Sequence, residues 1–211
     1  MPKDVENKLL EYLQPVFEKQ NFKLMKHLHQ FRKTTANGFL NTIVSVSGRE
    51  PVLVEINIGT RIDLVEELAY QFTTGLRSFQ ENSNTLITSM GRIMQQPYFR
   101  FEVHQSVDIR EVAEQIKAFM ETQGFDFLEK YSTISELDKL FNDKPREKLP
   151  YAYNHLNRCL RGIVLARMAD RKDFPAIAAT YRNTLLKSST APPLLEKYDK
   201  LVNHLKTFSF N

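Results

Sequence analysis

The spacing of apolar residues divides the chain into segments typical of helices and segments typical of strands. Near the N-terminus the spacing is three or four, which predicts a helix over residues 4–19, although Pro15 is expected to kink or shorten it. The same spacing returns in residues 61–77 and 108–122, and Gly124 is expected to end the second of these helices. Further helices are expected over residues 126–131, 133–142, 151–171, 174–188 and 193–208.

Other segments alternate apolar and polar residues, which is the pattern of a half-buried strand. Asn37-Gly38 lies between two such runs and favours a hairpin, because both residues tolerate a positive φ. The expected fold is α+β: an antiparallel sheet of about five strands packed by helices on one face, with an all-helical C-terminal segment. The expected strands are 22–35, 39–47, 52–59 and a second hairpin of 85–94 with 98–105.

Pro145 and Pro150 bracket the expected hinge of the chain. We therefore expect a sheet domain over residues 1–143 and a helical segment over 150–211 that packs on or beside it. Hydrophobic residues make up 42% and charged residues 26%, which is ordinary globular composition. No apolar run approaches the roughly 18–20 residues that span a bilayer, and the first residues lack the apolar core of a signal peptide. Cys159 is the single cysteine, so we expect a soluble cytoplasmic protein without a disulfide or membrane partner.

Positive charge is concentrated near the C-terminus. The net charge is +4, and residues 141–211 hold 13 Lys and Arg against 6 Asp and Glu. Nucleic acid is therefore a possible partner. However, at about 100° per residue the arginines surround their helix instead of lining one side, so this partner is not favoured. The candidate contacts are Arg158, Arg161, Arg171 and Lys172.

The best-known catalytic and cofactor motifs are missing from the sequence. It contains no Gly-x-Gly-x-x-Gly, no Walker-type Gly-Lys-Ser/Thr, no Gly-x-Ser-x-Gly and no His-Glu-x-x-His. These absences lower the expectation of a nucleotide-driven enzyme, an α/β-hydrolase or a zinc protease. We expect no cofactor and lean away from an enzyme.

The stretch "YFRFEVHQ" places polar side chains on one side of an expected strand. A Glu–His pair could transfer protons, and an arginine could orient a carboxylate or phosphate ligand. The same residues could also be the hydrated face of a sheet, with Arg and Glu simply paired. With two residues of "VLVEINIG", the candidate ligand-binding set is Glu55, Asn57, Tyr98, Arg100, Glu102 and His104.

His27 and His29 are two residues apart, so in a strand both side chains would leave the same face. Such a pair could bind zinc if Glu102 or His104 supplied a third ligand. The alternative is a half-exposed strand without metal. Because no third ligand is assigned by the spacing, these histidines are weak candidates and we expect no metal.

Three segments follow one another in a recognisable order. They are a strand ending in Asn-x-Gly ("VLVEINIG"), an Arg before an aromatic-rich strand ("GRIMQQPYFRFEV"), and a helix closing on a Phe-Leu-x-Lys-type segment ("GFDFLEKY"). Over residues 5–140 this order resembles a bacterial family of unknown function, domain of unknown function 4304. The resemblance implies an α+β fold and supplies no activity or functional residues. The expected function is a non-enzymatic interaction module with a protein partner.

Overall fold

The computed structural model describes residues 2–72, 80–151 and 154–208. Six strands and a series of helices account for most of them. The strands are β1 (Lys23–Met25), β2 (Gln30–Thr35), β3 (Gly38–Ser47), β4 (Val52–Ile62), β5 (Leu86–Ser89) and β6 (Phe101–Val103). The helices are α1 (Pro2–Lys19), α2 (Asp63–Gln71), α3 (Met90–Ile93), α4 (Asp108–Phe119), α5 (Phe125–Lys130), α6 (Ile134–Asn142), α7 (His155–Met168), α8 (Phe174–Lys187) and α9 (Pro192–Thr207).

The fold is α+β, as the alternating and helical spacings predicted. The chain groups into two compact units, the first comprising Met1–Thr60 and Ile87–Lys130, the second Arg61–Leu86 and Tyr131–Asn211. The sequence placed its division between residues 143 and 150, whereas the contacts group residues 61–86 with the C-terminal helices. Among the described helices, none combines the length and apolar character needed to cross a membrane.

The sheet is antiparallel with strand order β1-β2-β3-β4-β5, and β6 pairs with β4. Thr35 pairs with Gly38, so Ala36 and Asn37 form the turn of the predicted hairpin, one residue earlier than the Asn-Gly signal indicated. Even-numbered residues of β4 from Val52 to Ile58 are buried, as expected for a strand with one apolar face.

Two expectations about strands were wrong. A 3-10 turn at Lys26–Leu28 interrupts the segment predicted as one strand, and His29 after it is left-handed with φ 52°. The predicted second hairpin does not form either, because helix α3 follows β5 and β6 pairs with the first residues of β4.

A cluster of phenylalanine rings forms part of the core of the first unit. Helix α1 packs on the sheet and against α4, and the Phe17 ring stacks on Phe31 at a centroid distance of 4.1 Å. Phe22 and Phe125 meet the Phe17 ring edge-on. These ring contacts add to the burial of the aliphatic side chains Val5, Leu9, Leu10, Leu13 and Val16 of α1.

Two positions expected to break helices do not end them. Helix α1 continues through Pro15 to Lys19. The helix that begins at Asp108 passes through a π-helical turn at Met120–Gly124 into α5. A side chain at Gly124 would lie 2.5 Å from Met120 Sδ, so the glycine leaves room for the methionine instead of stopping the helix.

The second unit is a helical assembly in which α7 contacts α2, α6, α8 and α9. Its helices match the predicted C-terminal segments to within a few residues. The predicted helix 61–77 is observed as Asp63–Gln71, and its remaining part, from residue 73 on, lies outside the described residues. Tyr181 in α8 donates from its hydroxyl to the backbone oxygen of Phe141, 2.7 Å away, which ties α8 to the end of α6.

Candidate functional site

The sequence-predicted polar residues lie along β6 and the strand beside it. Val52 pairs with Val103 and Val54 with Phe101, and all four side chains are buried. Leu53 pairs with Glu102 on the opposite face. The alternation of the two strands therefore places apolar side chains inward and polar ones outward, as the sequence indicated.

Two ion pairs organise this outward face. Arg100 Nε lies 3.4 Å from Glu55 Oε2, joining the start of β6 to β4. His104 Nε2 lies 3.3 Å from Glu102 Oε2, a pair that is ionic when the imidazole is protonated. Arg100, Glu102 and His104 are all more than half exposed, so water surrounds both contacts. Exposed pairs of this kind orient side chains and contribute about 0–1 kcal/mol to stability.

Two large apolar side chains flank the same strand. Tyr98 precedes β6 and is 95% exposed, and Val107 follows it and is 71% exposed. Val107 was not among the predicted residues; its signal was an apolar residue directly before the helix-starting Asp108. We define the β6 surface as Glu55, Tyr98, Arg100, Glu102, His104 and Val107. Asn57, the sixth predicted residue, lies two residues beyond Glu55 in β4 and is half-buried.

Asp108 fixes the backbone that follows β6. Its Oδ2 accepts hydrogen bonds from the backbone N–H groups of His104 (2.9 Å) and Gln105 (2.8 Å). These bonds hold the pKa of the Asp108 carboxyl below its usual range. The carboxylate thus fixes the backbone of His104 and Gln105 where the chain leaves β6.

The β6 surface offers charged and aromatic side chains that are open to water. The Glu102–His104 pair is open to water, and a desolvated setting is what gives acid–base groups most of their catalytic strength. Two cavities of the first unit are lined elsewhere: one by α1 and β1, the other, of about 430 Å³, by residues of α3 and α4 with Phe99. Catalysis or small-ligand binding by Arg100, Glu102 and His104 stays a prediction.

The histidines proposed as weak metal ligands do not share a strand face. His27 lies in the 3-10 turn, and His29 Nδ1 faces Glu6 Oε1 at 3.1 Å. Within the described ranges, no three His, Cys, Asp or Glu side chains converge as metal ligands would. The two-residue spacing predicts a shared face only in a continuous strand. The 3-10 turn and the left-handed backbone at His29 break that strand, so the prediction fails.

The arginines proposed for nucleic acid are engaged within the second unit. Arg158 is 6% exposed and donates to the backbone oxygens of Glu147, Phe141 and Lys144. Arg161 donates to both oxygens of Glu66. These guanidinium groups satisfy acceptors of their own chain and are not turned to a phosphate backbone.

Arg171 is likewise held by its own chain, whereas Lys172 is exposed. Three carboxylates surround the Arg171 guanidinium and, through these hydrogen bonds, raise its pKa. They belong to Asp138, Asp143 and Asp173, at N–O distances of 2.8 to 3.1 Å. Nucleic-acid binding through this set stays a prediction. Of the four side chains, Lys172 alone has no partner among the residues that the structure describes.

No protein-family model matches the chain, and no match was found among curated proteins or solved structures. The resemblance to domain of unknown function 4304 accordingly stays a prediction.

Proposed function

We propose that this protein is a non-enzymatic interaction module that binds a protein partner through the β6 surface. The observation that carries the proposal is the exposure of Tyr98 and Val107 on either side of one strand, at 95% and 71%. Single exposed apolar residues are ordinary on protein surfaces. Two that stand at the ends of a row of ion-paired side chains supply apolar anchors next to polar groups, a combination suited to recognition.

The residue types fit this role. Tyrosine and arginine are over-represented among the residues that dominate binding energy, because each offers a large contact area with a polar tip. Here Arg100 is already oriented by Glu55 and Tyr98 needs no unfolding to be reached. A surface arranged before binding loses less side-chain entropy on association.

The charges give the surface its selectivity. Glu102 and His104 form one pair and Glu55 and Arg100 the other, so the face presents both signs in fixed order. A partner must match that order, since like charges placed opposite each other cost several kcal/mol. We expect the partner to present an acidic group to Arg100 and an apolar hollow to Tyr98.

Quantitative affinity capture from extract of the native cell tests the proposal. The immobilised baits are wild type, Tyr98→Ala with Val107→Ala, and Tyr12→Ala, which removes a half-exposed tyrosine from α1 as a matched control. We expect at least one protein that wild type and Tyr12→Ala capture equally and the double variant loses by about tenfold or more. Identical captured sets for all three baits would contradict the proposal.

A further inference from the structure

A second surface of the first unit has the features of a peptide-binding site. A cleft of about 470 Å³ lies between α1 and β1. All three residues of β1 line it, together with Phe22 and the side chains of Gln14 and Glu18 from α1. None of these residues belongs to the β6 surface.

The strand that lines the cleft is an edge of the sheet. β1 is first in the strand order and pairs with β2, with Leu24 opposite Phe31. On its other side, the backbone N–H and C=O groups of Lys23–Met25 have no backbone hydrogen bond within the part of the chain that the structure describes. Unpaired groups on an edge strand are a template for an added strand.

Two lysines give the cleft positive charge, which favours an acidic segment as the added strand. Lys23, Lys26 and His27 line the cleft and are exposed, and among the described residues none of their three side chains forms a hydrogen bond or ion pair. The one acidic residue of the lining, Glu18, accepts a hydrogen bond of 2.6 Å from Gln14 Nε2. Lysines on an edge strand disfavour its pairing with neutral strands. In this cleft the lysines make the β1 edge complementary to an acidic strand.

We propose that the α1–β1 cleft binds an acidic segment of a partner protein, which adds as an antiparallel or parallel strand along β1. The backbone hydrogen bonds between β1 and the added strand span about three residues, because β1 ends at Met25 and the 3-10 turn begins at Lys26. Lys26 and His27 then stand at the end of the ladder, where they meet a carboxylate of the added segment. Backbone pairing supplies the alignment and the cations supply the preference for acidic sequence.

Fluorescence anisotropy with labelled peptides tests this inference. The probe is a short peptide alternating valine and glutamate; the comparison peptides carry lysine for glutamate, or N-methyl groups on alternate backbone nitrogens. We expect saturable binding of the acidic peptide only, because the other two lack the charge or the strand-pairing N–H groups. Lys23→Glu with Lys26→Glu should weaken binding at least about tenfold, whereas Tyr98→Ala should leave it unchanged.

Hydrogen exchange locates the bound peptide. The acidic peptide should slow exchange of the amides of Lys23–Met25 relative to those of the β6 surface. Equal binding of the N-methylated peptide would show a charged patch without strand addition, and absence of binding at millimolar peptide would show no site; either result overturns the inference. Neither result bears on the β6 surface, so the two proposals fail separately.

Discussion

Arg161 in α7 donates hydrogen bonds to both carboxylate oxygens of Glu66 in α2, and each N–O distance is 2.7 Å. The Glu66 side chain is 3% exposed and that of Arg161 16%. Burial alone would raise the pKa of Glu66, but the Arg161 charge and hydrogen bonds, with those of Ser83 and Thr85, hold it below 4.5. This two-pronged contact between residues 95 positions apart joins the two helices of the second unit.

Removing one partner of this pair should destabilise the protein strongly. Arg161→Met leaves the Glu66 carboxylate buried without its counter-charge, and we expect a loss of about 3 kcal/mol in the free energy of unfolding. Glu66→Met with Arg161→Met should recover most of that loss, because no charge then remains buried. Urea unfolding followed by circular dichroism measures the stability of the single and the double variant. Equal midpoints for wild type and Arg161→Met would show that the pair contributes nothing to stability.

Arg182→Ala is the matched control for that experiment. Arg182 also forms a two-pronged contact, with Asp199, but both side chains are well exposed. Water screens such a pair, so its removal should shift the urea midpoint much less than Arg161→Met does.

The same pair predicts a dependence of stability on pH. Since the pKa of Glu66 is lower in the folded protein than in the unfolded chain, the unfolded chain takes up the proton first as the pH falls. The stabilisation is therefore fully present above the unfolded value and is lost as the pH drops below 4.5 through the folded pKa. Wild type should lose more stability than Glu66→Met with Arg161→Met between pH 6 and pH 3, and parallel curves would contradict this.

Cys159 should be unreactive in the folded protein. Its thiol is buried in α7, and burial raises its pKa from 9.0 to about 12. Since the thiolate is the nucleophile, labelling with a disulfide reagent at pH 8 should be at least about a thousandfold slower in native than in urea-unfolded protein. Native labelling at the unfolded rate would mean that the thiol is accessible.

Gly162→Ala should destabilise the protein even though alanine is the better helix former. A Cβ at residue 162 would lie 2.7 Å from Tyr181 Oη, which is itself bonded to Phe141 and Asn142. We expect a loss of about 1–3 kcal/mol from this overpacking, measured by thermal and urea unfolding. Helix propensity alone predicts a gain of up to about 1 kcal/mol, so the sign of the change decides between the two.

Local patterns predicted the parts of the fold that depend on neighbours in sequence. The alternation of Val52, Val54, Ile56 and Ile58 predicted one buried face of β4, and it is buried. Neither Pro15 nor Gly124 ends its helix: α1 runs on to Lys19, and the helix from Asp108 continues through the π-helical turn at Gly124 into α5. The Glu66–Arg161 pair could not be predicted, since the pairing of distant helices depends on their rotation and offset, which no local spacing encodes.

The candidate site was predicted in part. Alternation alone grouped Arg100, Glu102 and His104 on one face, and the pairing of β6 with β4 brings Glu55 beside Arg100. The sequence could not show whether that face is covered, because covering depends on how distant segments pack. Tyr98 is 95% exposed, so the structure shows that its side chain is uncovered at one end of the strand.

Site-specific photocrosslinking at residue 98 tests the proposed function most directly. A benzophenone amino acid replaces Tyr98 in one variant and Tyr12 in the other, and both proteins are irradiated in native-cell extract. The β6 surface predicts a crosslinked partner of defined mass from residue 98, absent from residue 12 and lost when Arg100→Glu is added. Crosslinking at residue 12 alone, equal crosslinking at both, or none at residue 98 would contradict partner binding through this surface.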